Sequence, residues 1–179
     1  ATLVAFAESA AKKGDTSTAV KFFISAIARD PNNWFVYWRY GEYFRHIEQS
    51  IAQSITMYES ALKYSKNEKI TSQIATMHRE FGMIYGNSGR PDANARAIKH
   101  FEIAHSNMPN DPICAKGLAT QYEKRGNTTG IVELLEPFRS SKDEKTRLLL
   151  LPILRRAYES DSTKYMLQLS ELKREMQGN

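Results

Sequence analysis

The sequence predicts an all-α chain built from a helical hairpin that repeats, and three observations carry the prediction. The first is that Ala19-Val20-Lys21-Phe22-Phe23-Ile24-Ser25-Ala26 returns as Ser54-Ile55-Thr56-Met57-Tyr58-Glu59-Ser60-Ala61 and again as Ala97-Ile98-Lys99-His100-Phe101-Glu102-Ile103-Ala104. Each copy reads small, aliphatic, two variable, aromatic, two variable, Ala. Positions i, i+4 and i+7 share one helix face, so an aromatic ring is flanked by two small side chains where a neighbouring backbone comes close. The second is a pattern that precedes each copy: Tyr40-Gly41-x-x-Phe44, Phe81-Gly82-x-x-Tyr85 and Leu118-Ala119-x-x-Tyr122, with Phe6-Ala7-x-x-Ala10 as a weaker form. The third is that only nine Gly and six Pro occur in 179 residues, spaced as punctuation between helical stretches.

Taken in order, the first hairpin occupies about 1–33, with Gly14 four residues after Ala10 to supply the left-handed conformation that ends one helix and turns the chain back. Pro31, followed by Asn32 and Asn33, stops its second helix. The second hairpin, about 34–68, has Glu48 in its turn where a Gly is expected. The third, about 69–111, extends its first helix through Lys69 to Met77, turns through Gly89-Arg90-Pro91-Asp92-Ala93-Asn94, and closes at Pro109. The fourth, about 112–141, keeps Leu118, Ala119, Tyr122 and Gly126, but Ile131, Leu135 and Phe138 stand where the small, aromatic and Ala positions should fall. Pro137 is expected to kink or shorten its second helix. Two apolar-periodic stretches, Leu148 to Tyr158 and Tyr165 to Met176, make a last hairpin over about 142–177.

The order large-small-x-x-aromatic, Gly, small-x-x-x-aromatic-x-x-Ala, Pro resembles the tetratricopeptide repeat, whose unit is about 34 residues. The resemblance implies a right-handed superhelical stack of helix-turn-helix repeats, an α-solenoid forming a single repeat domain over 1–179, with the last hairpin as a cap that shields the end of the stack. Pro31 and Pro109 lie further apart than two such periods, and the excess falls in the turns and in the start of the third repeat. Because the sequence opens at Ala1 with repeats almost at once, the chain is expected to be a piece of a longer polypeptide.

Composition narrows the function classes. The net charge is +5 and the isoelectric point about 9.3, yet no basic run exceeds two residues (Lys12-Lys13, Lys124-Arg125, Arg155-Arg156, Lys173-Arg174). Phosphate-binding surfaces concentrate Lys and Arg on one stripe, so a solvated surface is the favoured reading and nucleic acid the weaker one. The longest apolar run, Leu148 to Leu151 continuing through Pro152, is far short of a membrane span, and no basic-then-apolar leader opens the chain. With the single Cys114 unable to form an internal disulfide, a reducing, cytoplasmic setting is expected. His46, His78, His100 and His105 show no metal-ligand spacing, and His100 and His105, five apart, do not share a helix face. Gly86-Asn87-Ser88-Gly89 lacks the Lys-Ser or Lys-Thr of a phosphate loop and reads as a turn. No catalytic residue, cofactor or metal is expected.

What remains is recognition by surface. The resemblance implies that the first helix of each repeat lines a concave groove, which assigns to it Phe35, Trp38, Arg39, Glu42 and Arg45, then Arg79, Glu80 and Met83, then Ile113, Lys116, Thr120 and Glu123. Trp and Arg are frequent binding hot spots, so Trp38 with Arg39 and Arg45 is the leading contact cluster; the rival reading has Trp34 and Trp38 closing the stack between repeats. Family members that clamp the C-terminal carboxylate of chaperones use Lys, Arg and Asn at positions matched here by Val4, Glu8, Arg39, Thr76 and Glu80, a set that should repel a carboxylate. The expected function is a non-enzymatic module that binds a protein or peptide of mixed charge, as a scaffold or as the sensor arm of a larger protein such as a signalling ATPase. A second reading rests on Trp34-x-x-Tyr37-x-x-Tyr40-x-Glu42 and Met57-Tyr58-Glu59-x-Ala61-Leu62, which resemble the half-a-tetratricopeptide repeat of RNA-processing assemblies. A third is an enzyme whose site is assembled from distant residues.

Overall fold

The computed structural model describes residues 2–47, 50–65, 67–89 and 92–177. Glu48, Arg90 and Pro91, which belong to two of the expected turns, lie outside the described residues. The described residues form α-helices and one 3-10 turn, with no strand. Their packing divides the chain into two compact units, Ala1–Met77 and His78–Asn179.

In the N-terminal unit, α1 (Leu3–Lys12) and α2 (Thr16–Arg29) form one hairpin and α3 (Trp34–His46) and α4 (Ile51–Tyr64) the next. Side-chain caps mark the starts of the first three: Thr2 accepts from the Ala5 N–H at 3.2 Å, Asp15 from Thr18 at 3.0 Å and Asn33 from Phe35 at 3.2 Å. Such caps satisfy donors that the helix leaves orphaned and contribute about 1 kcal/mol each. Gly14 makes the turn with φ of +79°, as Gly89 and Gly126 do at +66° in the other unit. The repeated small-aromatic-Ala face is the core: Ala19, Phe23 and Ala26 of α2 are buried, as are Ser54, Tyr58 and Ala61 of α4. Phe23 stacks on Tyr40 at 4.7 Å between ring centroids. A Cβ on Gly41 would lie 2.7 Å from the Tyr58 ring. The small residue of the large-small pattern is therefore the hole into which the aromatic of the next helix fits.

The helix α5 (Glu68–Asn87) begins in the N-terminal unit and ends in the C-terminal one. Its last residues include Gly86 and Asn87, so only Ser88 and Gly89 of the expected Gly86–Gly89 turn lie beyond the helix. Gly86 packs closely on the buried Gln121 side chain, whose Nε2 would lie 2.7 Å from a Cβ placed there. The helices α6 (Ala93–Asn107), α7 (Pro112–Lys124), α8 (Thr128–Leu135), α9 (Glu144–Ser160) and α10 (Met166–Gln177) complete the C-terminal unit. Phe101 of α6 sits between Gly82 of α5 and Gly117 of α7. Asp111, just after the Pro109 turn, caps α7 by accepting from the Ile113 N–H at 2.9 Å. Pro137, which has no N–H to give, falls in a 3-10 turn (Glu136–Phe138) that ends α8 after eight residues. A second core of Ile131, Leu135, Phe138, Leu150, Leu154, Tyr158 and Leu172 joins α8 to the last hairpin. Arg139 holds that hairpin from outside, pairing with Glu136 and Glu171 at 3.2 Å and Glu175 at 2.7 Å.

Candidate functional site

In the N-terminal unit, Asn33 starts α3 so that Trp34, Phe35 and Trp38 fall on adjoining positions of its first turns. Their ring centroids are 5.9 Å (Trp34–Phe35), 6.2 Å (Trp34–Trp38) and 5.7 Å (Phe35–Trp38) apart. Phe35 is 42% exposed, a large fraction for a ring, while Trp34 and Trp38 are half-buried. Two cations approach the Trp38 ring, the Arg39 guanidinium at 5.4 Å and the Lys69 ammonium at 5.2 Å from its centroid, within the range of a cation–π attraction.

Trp38 is also tethered. Its indole N–H donates to Gln73 Oε1 at 2.8 Å, and Gln73 Nε2 donates in turn to Glu42 Oε1 at 2.8 Å. The Tyr58 hydroxyl donates to the same carboxylate, and burial, reinforced by Glu42, raises its pKa well above the usual phenol value. Arg39 Nε donates to Glu8 Oε1 at 2.5 Å. Beside these pairs lies a recess of about 190 Å³ with Ala11, Phe23 and Tyr43 among its apolar walls and Glu8, Arg39 and Glu42 on its charged rim. The structure thus brings Phe35, Trp38, Arg39 and Glu42 onto one face. Arg45 is half-buried.

Of the expected groove residues in the C-terminal unit, Arg79 is held by Asp111, the cap of α7, and Glu123 accepts from Arg156 at 2.9 and 3.2 Å. The Thr120 hydroxyl donates to the Lys116 carbonyl within its own helix at 2.8 Å. Met83 and Ile113 are exposed at 46% and 47%, Lys116 is exposed and Glu80 half-buried.

Sequence spacing missed one cluster. His78 of α5 and His100 of α6 meet with their Nδ1 atoms 2.8 Å apart, one donating and the other accepting, and His100 packs against both Phe81 and Tyr85, at 5.0 and 5.6 Å between centroids. Burial lowers the pKa of both rings, and His100 is lowered further by His78, Lys99 and Arg96. Its signal lies in the register between two helices, which spacing along one helix does not carry. Among the described residues no three His, Cys, Asp or Glu converge as a metal site. The Cys114 thiol is fully buried, donates to the Phe101 carbonyl at 3.4 Å, and has its pKa pushed up to about 12 by burial. No helix among the described residues is long and apolar enough to cross a membrane.

No protein-family model and no curated protein sequence matches the chain. Among solved structures it is similar to the crystal structure of MamA protein, a TPR-like helical repeat protein, with 16% identity and a TM-score of 0.50 over 96% of this chain and 90% of that one. Helical hairpins packed in adjacent pairs, with rings seated on small residues, together with that likeness, give this chain an all-helical, tetratricopeptide-like repeat fold.

Proposed function

We propose that the chain is a non-enzymatic protein-interaction module of the tetratricopeptide family, one repeat domain that serves as scaffold or sensor arm and recognises a polypeptide through the face of α3. The carrying observation is Phe35, 42% exposed and packed against Trp38, whose ring two cations approach. An apolar ring beside a preorganised indole and guanidinium is the composition of a binding hot spot. Because Trp38 is tied to Gln73, Phe35 is the residue free to enter a partner. Arg39 is balanced by Glu8, so a partner's terminal carboxylate finds no unopposed cation there, and a segment with an apolar anchor and both signs of charge suits the rim better. Pairing of Arg39, Arg79, Arg139 and Arg156 with carboxylates likewise disfavours a phosphate-lined nucleic-acid surface.

The test is affinity capture with wild type and Phe35→Ala, read by mass spectrometry, beside melting curves of both. A polypeptide retained by wild type, lost with Phe35→Ala, and accompanied by unchanged melting is the expected result. Equal retention by the two proteins, or capture of RNA that persists at low salt in its place, would overturn the reading.

A further inference from the structure

The C-terminal unit carries a second recess, of about 330 Å³, whose walls include Glu102 and His105 of α6, Leu118 and Tyr122 of α7, and Glu133 and Leu134 of α8. Its chemistry differs from that of the α3 face. Its lining combines two carboxylates with apolar groups, in a chain whose net charge is +5. Glu102 accepts from the Tyr122 hydroxyl at 2.9 Å, a neutral partner that leaves its charge unbalanced. Among the described residues Glu133 forms no ion pair; Lys164, whose charge reaches it, is held by Thr129 at 3.2 Å and lies over the Tyr165 ring. Both carboxylates act on the Tyr122 hydroxyl, whose pKa burial and these charges push up to about 12. Both residues line the recess together with Tyr122. Burial lowers the pKa of His105 and so disfavours its charged form, and its Nδ1 is buried without a hydrogen-bond partner among the described residues.

We infer that this recess is a docking site for an arginine side chain of a partner polypeptide flanked by apolar residues. The two carboxylates complement the guanidinium, the Tyr122 ring offers it a face to stack on, and Leu134 takes its aliphatic stem. Arginine suits the site better than lysine because a planar fork can serve two carboxylates and a ring together. This site belongs to the C-terminal unit and stands independently of the α3 reading.

The experiment titrates the 179-residue chain, labelled with ¹⁵N, with the peptide acetyl-Leu-Arg-Leu-Arg-Leu-amide, with its Arg-to-Glu counterpart as control and spermidine as competitor. Amide shifts centred on Glu102, His105, Tyr122, Glu133 and Leu134 are expected from the Arg peptide alone. Affinity should fall about tenfold in Glu102→Gln/Glu133→Gln, which keeps the hydrogen-bonding groups and removes two exposed charges. The inference is overturned if the shifts map elsewhere, if the double variant binds as well as wild type, or if spermidine binds the recess while the peptide does not.

Discussion

Replacing Gly117 by Ala should destabilise the protein, although Ala is the better helix former. In the middle of a helix that change alone contributes about 1 kcal/mol of stability. Against it stands the Phe101 ring, which is 1% exposed and wedged on both sides. A Cβ on Gly82 would meet its Cγ end at 2.8 Å, and one on Gly117 would come closer still to its tip. Normal carbon contacts begin at about 3.5 Å, so the ring must retreat by well over half an ångström and has Gly82 behind it. Overpacking of this kind costs about 1–3 kcal/mol; with the wedge at the upper end of that range, the net loss is about 1–2 kcal/mol. For a chain of this length the melting temperature should fall by about 2–8 °C. Circular dichroism during thermal and urea unfolding measures it, and the decisive arm is the same substitution in a Phe101→Leu background, where the loss should shrink by about 1 kcal/mol. A Gly117→Ala protein as stable as wild type, or a loss that does not depend on Phe101, would falsify the wedge.

Two further outcomes follow from buried titratable groups. The imidazoles of His78, His100 and His105 have pKa values lowered below their ordinary 6.5 by burial, so below about that pH the unfolded chain binds more protons than the folded one. Stability should hold above it and decline as pH falls through the folded values; melting temperatures between about pH 7.5 and 5.5 should show the decline, and His78→Phe/His100→Phe should flatten it. Cys114, buried and with its thiol held protonated, should resist iodoacetamide in the native protein and react at a rate that tracks unfolding as urea is added; rapid labelling of the native chain would mean that the α6–α7 seam opens.

What the sequence determined by itself is local. Turn glycines such as Gly14, helix stops such as Pro31, and the small-aromatic-Ala face all act within a few residues of where they are written, so the hairpins and the aromatic character of α3 were legible in advance. It also showed that Tyr40-Gly41 and Phe81-Gly82 pair a large residue with a small one, though not which ring would fill each hole. Tertiary structure decided the encounters between helices. Arg39 meets Glu8, Arg79 meets Asp111 and Glu123 meets Arg156, which commits to internal pairing charges that read from sequence as groove-lining. Gln121 came to rest against Gly86, His78 found His100, and Glu102 and Glu133 came to line one recess with Tyr122. The physical reason is the same in each case: a helical period states which side of a helix is buried, whereas the partner across the seam depends on the register in which two helices pack.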